Sequence, residues 1–120
     1  MFDETLRSIV ATTDGAVGAL IMGIDGISVA RADGGDASID LDVIAAEYTT
    51  LIRKSVRTTE DAALGPLREL VVAAERFAFL IKPITAEYFL VLVLQTKGGL
   101  GRARFELRKA QLALEEEFSV

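Results

Sequence analysis

The sequence predicts an α/β fold of the α+β kind: a three-layer α/β/α sandwich on a five-stranded antiparallel sheet, in the order α-β-β-α-β-β-β-α. Three observations carry this. Apolar residues recur at threes and fours in three segments, and at every second position or continuously in five others. The breaks Asp25-Gly26, Glu75-Arg76 and Pro83-Ile84-Thr85-Ala86 suit hairpin connections and are too short for crossover helices. Tyr88 to Leu94 is apolar throughout, as expected of a central strand covered on both faces.

Taken in order, Phe2, Leu6, Ile9, Val10 and Thr13 keep helical spacing, so residues 3–13 read as a short amphipathic helix ended by Asp14-Gly15. Residues 16–23 form a small-residue and apolar run that reads as a buried strand. After Asp25-Gly26, residues 27–32 return as its partner, with Ile27 and Val29 alternating against Ser28 and Ala30. Asp33-Gly34-Gly35-Asp36 breaks the chain, and Asp40 is placed to cap the next helix. That helix steps through Leu41, Ile44, Ala45, Tyr48, Leu51, Ile52, Ser55 and Val56, with Arg53, Lys54 and Arg57 crowding its last turns, where cations suit the dipole. Thr58 to Gly65 reads either as a frayed extension or as a loop. The period then drops to two: residues 67–74, 77–82 and 87–94 are expected strands. A Gly-rich connector at 95–99 leads to a closing helix over 100–118, carried by Leu100, Ala103, Leu107, Ala110 and Leu114. The central helix is expected on one face of the sheet and the terminal helices on the other.

The 120 residues suit one domain, 1–120, with a core of its own. Thirteen basic against eighteen acidic residues give −5, which argues against nucleic acid or anionic lipid as the main partner. Without Cys there is no disulfide, thiolate metal site or thiol nucleophile, and without His the usual general base is gone. The N-terminus lacks the pattern of a signal peptide, and no apolar run reaches the length of a membrane span. The expectation is a soluble cytoplasmic protein with no catalytic residue, no cofactor and no metal.

Four local patterns invite chemistry, and each has a simpler reading. Gly98-Gly99-Leu100-Gly101 opens a helix where phosphate can bind, but the nucleotide-loop spacing and its Lys-Ser or Lys-Thr pair are missing, so it reads as a connector. Asp33, Asp36, Asp40 and Asp42 lack the alternation and distal Glu of a calcium loop. Glu115-Glu116-Glu117 point in three directions on a helix and cannot converge on one atom. Arg76 reads as an exposed turn residue rather than an arginine finger.

The closing helix has an unusual charge order. Arg102, Arg104, Arg108 and Lys109 precede the Glu triplet, against the macrodipole, and an Arg102–Glu106 pair recovers only part of the cost. Either a partner surface sets these charges or the order is accidental and screened by solvent.

Leu67 to Ala74 lies at the edge of the three-strand meander and carries few charges. A bare edge of this sort invites pairing with another chain, and the closed solution is its own twin across a two-fold axis, with the central helices side by side over the seam. The expected dimer interface comprises Ile44, Tyr48, Leu51, Leu67, Glu69 and Val71. The competing reading hides the edge under the Thr58–Gly65 segment.

These elements resemble the Roadblock (dynein light chain) family over residues 2–118. The resemblance rests on the hairpin Gly18-Ala19-Leu20-Ile21-Met22-Gly23-Ile24-Asp25-Gly26, the strand Tyr88 to Leu94 and the ending Leu100-Gly101-Arg102-Ala103-Arg104-Phe105; that ending looks most like the bacterial MglB type. It implies a homodimer that binds a small Ras-like GTPase of the MglA type and speeds GTP hydrolysis by reshaping the GTPase, without lending it a catalytic residue. The contact surface it implies is the outer face of the central helix: Glu47, Thr50, Lys54 and Arg57. A second reading keeps the dimer as an adaptor that clamps a peptide or assembles a larger complex. A third, a small-ligand sensor, is disfavoured because Ala16, Gly18, Ala19, Ala73 and Ala74 are expected to close the core.

Overall fold

A strand that is apolar at every position has to lie in the middle of its sheet. In the computed structural model, which describes residues 2–34 and 39–119, it does. The elements are α1 (Phe2–Thr12), β1 (Ala16–Gly23), β2 (Ser28–Asp33), α2 (Leu41–Asp61), β3 (Leu70–Ala73), β4 (Phe77–Pro83), β5 (Tyr88–Gln95) and α3 (Leu100–Phe118), with a 3-10 turn at Thr96–Gly98 before α3. The sheet order is β2-β1-β5-β4-β3, antiparallel throughout, with β5 central. The fold is α+β, as the sequence predicts.

Each sheet face has its own core. On one side Leu6 and Ile9 of α1 and Ala103, Leu107 and Leu114 of α3 cover Ala19, Ile21, Leu80, Leu90 and Leu92. Phe2 and Phe118 stack at 4.7 Å, fastening the outer ends of these two helices. On the other side Leu41, Ala45 and Ile52 of α2 cover Leu20, Met22, Ile81, Phe89, Val91 and Val93. Gly18 matters here: a Cβ at that position would run into Leu41 Cδ1, so its bare backbone admits the first turn of α2 onto the sheet.

Several boundaries and faces differ from the sequence expectation. The Thr58–Gly65 ambiguity resolves as half helix and half turn, since α2 runs to Asp61 before a turn with positive φ at Ala63 and Gly65. The strand expected over 67–74 pairs only through Leu70–Ala73. In β2 the buried phase is the opposite one: Ala32 is buried and Ala30 half-buried, whereas Ile27 and Val29 are exposed. Period-two counting gives two phases and residue size favoured the wrong one, because β2 lies at the rim. Ala73 and Ala74 are exposed and close no core. Gly35 and Asp36 of the acidic loop lie outside the described residues. No helix among the described residues is long and apolar enough to cross a membrane.

Candidate functional site

The outer edge of β3 carries no partner strand among the described residues, because β3 pairs only with β4. Register assigns its side chains. Leu70 and Val72 lie opposite Ile81 and Phe79 on the α2 face, and Val71 and Ala73 lie opposite Leu80 and Ala78 on the α3 face. On the α2 side, half-buried Tyr48 packs its ring on Phe79 at 5.2 Å, one strand in from the edge. Half-buried Ile44 and 40% exposed Leu51 lie on the same helix.

The six residues expected at a dimer seam therefore fall on both sides of the edge strand. Ile44, Tyr48 and Leu51 belong to α2; Val71, 39% exposed, belongs to the α3 face. Half-buried Leu67 precedes β3. Glu69 is held within its own chain: its carboxylate receives Nε of Arg104 at 2.9 Å and Nη2 at 2.6 Å. This two-point contact makes the pair a clasp between α3 and the approach to β3, and the Glu69 hydrogen bond and charge raise the Arg104 guanidinium above its ordinary pKa.

Glu47, Thr50, Lys54 and Arg57 are all exposed on α2, at steps of three and four that form one stripe. The helix that carries them starts at a built cap: the Asp40 carboxylate accepts the backbone N–H of Asp42 at 3.1 Å and of Val43 at 3.2 Å. Arg53, beside the stripe, donates to the Ile24 carbonyl at 3.0 Å and ties α2 to the β1–β2 turn.

Much of the charge order of α3 has a cause inside the chain. Glu106 is only 4% exposed and meets Arg102 at 3.1 Å, Lys109 at 3.3 Å and the Thr12 hydroxyl of α1 at 3.3 Å. Burial pushes its carboxyl up; Lys109, Arg102 and Thr12 outweigh that and hold its pKa below the ordinary value. Arg102 and Lys109 thus sit early in α3 to neutralise a buried carboxylate, and Arg104 to clasp Glu69. Sequence reasoning named the Arg102–Glu106 pair but missed the burial of Glu106 and the clasp on Glu69, since Glu106 looks like any helix glutamate until α1 covers it.

The remaining patterns are structural. Gly98 lets the connector close on the α1–β1 turn, where a Cβ would meet the Asp14 carbonyl. Arg76 lies over the neighbouring Phe77 ring at 5.4 Å. Arg31 binds the carboxylates of Asp33 and Asp42. Glu117 is half-buried and accepts from Thr5, whereas Glu115 and Glu116 face solvent. Among the described residues no cluster of three or more acidic, His or Cys side chains is placed to hold a metal ion.

Comparison with known proteins gives a graded result. No family profile matches the sequence, and no curated protein matches it. Solved structures do. MglC from Myxococcus xanthus is 30% identical over 95% of this chain and 96% of its own, with a TM-score of 0.73. The gliding protein MglB from Thermus thermophilus is 23% identical over 94% of this chain and 84% of its own, at a TM-score of 0.83. A Roadblock/LC7 domain from Streptomyces avermitilis is 14% identical over 98% of both chains, at a TM-score of 0.86. The last two agree in fold, and the first adds identity along nearly the whole of both chains: the chain belongs to the Roadblock family, with MglB and MglC among its relatives.

Proposed function

We propose that this chain is a homodimeric Roadblock protein that binds a small Ras-like GTPase of the MglA type in the cytoplasm and promotes its GTP hydrolysis, residues 1–120 acting as one domain without a catalytic group of their own. The observation that supports this most is the bare outer edge of β3 on the same side of the molecule as the exposed flank of α2. Two copies joined edge to edge would satisfy the open backbone groups of β3 and bring their α2 helices together. Glu47, Thr50, Lys54 and Arg57 would then form a doubled polar surface, with Leu51 between them as its apolar component. An activator of this kind works by favouring one conformation of its partner, which requires only differential binding. That suits a chain with neither His nor Cys.

The test is phosphate release from a Ras-like GTPase encoded beside this protein, with and without the chain. Faster release and co-elution with the GTP-bound form are expected. Reversing Lys54→Glu and Arg57→Glu together should abolish most of the stimulation while the far-UV spectrum stays unchanged. An unaltered rate, with no co-elution in either nucleotide state, would refute the proposal.

A further inference from the structure

On the α3 face, beyond the Glu69–Arg104 clasp, lies an open groove of about 410 Å³ between α3 and β4. Its walls are Gly101, Arg104, Phe105 and Arg108 on one side of α3, with Glu69 and Lys82 beneath. The helix residues step by three and four, so they share one face by geometry.

Lys82 is the unexpected member. It follows Ala78 and Leu80 on the core-facing phase of β4, is 9% exposed, and has no ion pair or side-chain hydrogen bond among the described residues. The lysine stem is buried under the helix while its ammonium reaches the open groove, where no carboxylate pairs with it among the described residues. The groove's own carboxylate, Glu69, already binds Arg104 through both oxygens. Arg108, one turn further along, also has no ion pair among the described residues. The groove therefore holds three cations against one carboxylate, in a protein whose net charge is −5.

We propose that this groove binds a phosphoryl dianion, held between Lys82 and Arg108 with Arg104 fixed behind it by Glu69. The surplus of positive charge matches a group carrying about −1.5 to −2 at neutral pH. Donors arriving from a strand below and a helix above suit a tetrahedral acceptor better than a planar carboxylate, for which the bidentate partner, Arg104, is already engaged. Phe105, 56% exposed beside the cations, gives the organic part of a phosphate monoester a surface to rest on. This site lies on the sheet face opposite α2 and does not depend on the proposed GTPase contact.

The test is calorimetric titration with inorganic phosphate and with phenyl phosphate, using acetate as the planar control. Saturable binding of the phosphates and none of acetate is expected. Lys82→Met, which keeps the buried stem, and Arg108→Ala, which alters only the surface, should each weaken binding by about tenfold or more. Arg53→Met, on α2 beyond the opposite face of the sheet, should leave it unchanged. Tighter binding of phenyl phosphate, lost in Phe105→Ala, identifies a monoester as the ligand; equal binding of the two identifies free phosphate. Absence of binding, equal binding of acetate, or affinity untouched by Arg108→Ala overturns the proposal. Arg108→Ala decides this even if the Lys82 variant fails to fold.

Discussion

Asp40 offers a clean test of how a local contact sets the stability of the helix on which the proposed binding surface is built. Its carboxylate satisfies two backbone N–H groups in the first turn of α2 that have no partner within the helix. Asp40→Ala removes from an exposed position the single oxygen, Oδ1, that accepts both N–H groups, so the loss is that of an N-cap, about 1 kcal/mol within a range of about 0.5–2. Unfolding entropy for a chain of this length is roughly 0.25 kcal/mol/K, so the melting temperature should fall by about 4 °C. Asp40→Asn and Asp40→Ser retain an acceptor and should stay within about 1 °C of the parent. Thermal melts followed by circular dichroism at 222 nm would read all three. If Asp40→Ala melts with the parent, the two hydrogen bonds do not hold the helix end. If Asp40→Asn falls as far as Asp40→Ala, the negative charge matters and the cap does not.

Three further outcomes follow from the packing and the charges. Gly18→Ala should destabilise by about 1–3 kcal/mol, because its methyl would overlap Leu41 and approach the Ala32 carbonyl at 3.1 Å. Urea unfolding of Gly18→Ala, Leu41→Ala and the double variant should then give a favourable coupling, and additive losses would refute the overlap. The depressed pKa of Glu106 contributes stability that is fully present above the ordinary glutamate range and is lost as pH falls through the folded-state value. Urea midpoints from neutral into acid pH should therefore fall less steeply for Glu106→Gln than for the parent; equal slopes would remove Glu106 from the account. Tyr48→Asp should convert a dimer into monomer or aggregate by light scattering, and an unchanged dimer would place the seam elsewhere.

Most of the fold was legible because the residues that specify it act locally. Asp40 announces a cap, Asp25-Gly26 a turn, and the unbroken run from Tyr88 the centre of the sheet. What failed depended on neighbours remote in the chain. Ile27 and Val29 look like the buried phase of β2, yet Ala30 and Ala32 face α1 because only the opposite phase of this rim strand is covered. The candidate surface was legible as a stripe on α2, since Glu47, Thr50, Lys54 and Arg57 follow helical spacing. The fate of Glu69 was not, because its partner Arg104 lies thirty-five positions away. Lys82 left one faint sign: a single charge closing an otherwise apolar strand, in phase with Ala78 and Leu80.

The pairing of β1 with β5 also has a consequence for how the protein is made. Leu20 lies opposite Val91, so one flank of an almost wholly buried strand waits for residues synthesised much later. At about 5–20 residues per second, the roughly seventy intervening residues take on the order of 4–14 s to emerge. Through that interval the first hairpin stands beside the ribosome with a greasy, unzipped margin. Nascent chains of this protein should need a chaperone there more than its finished form ever does.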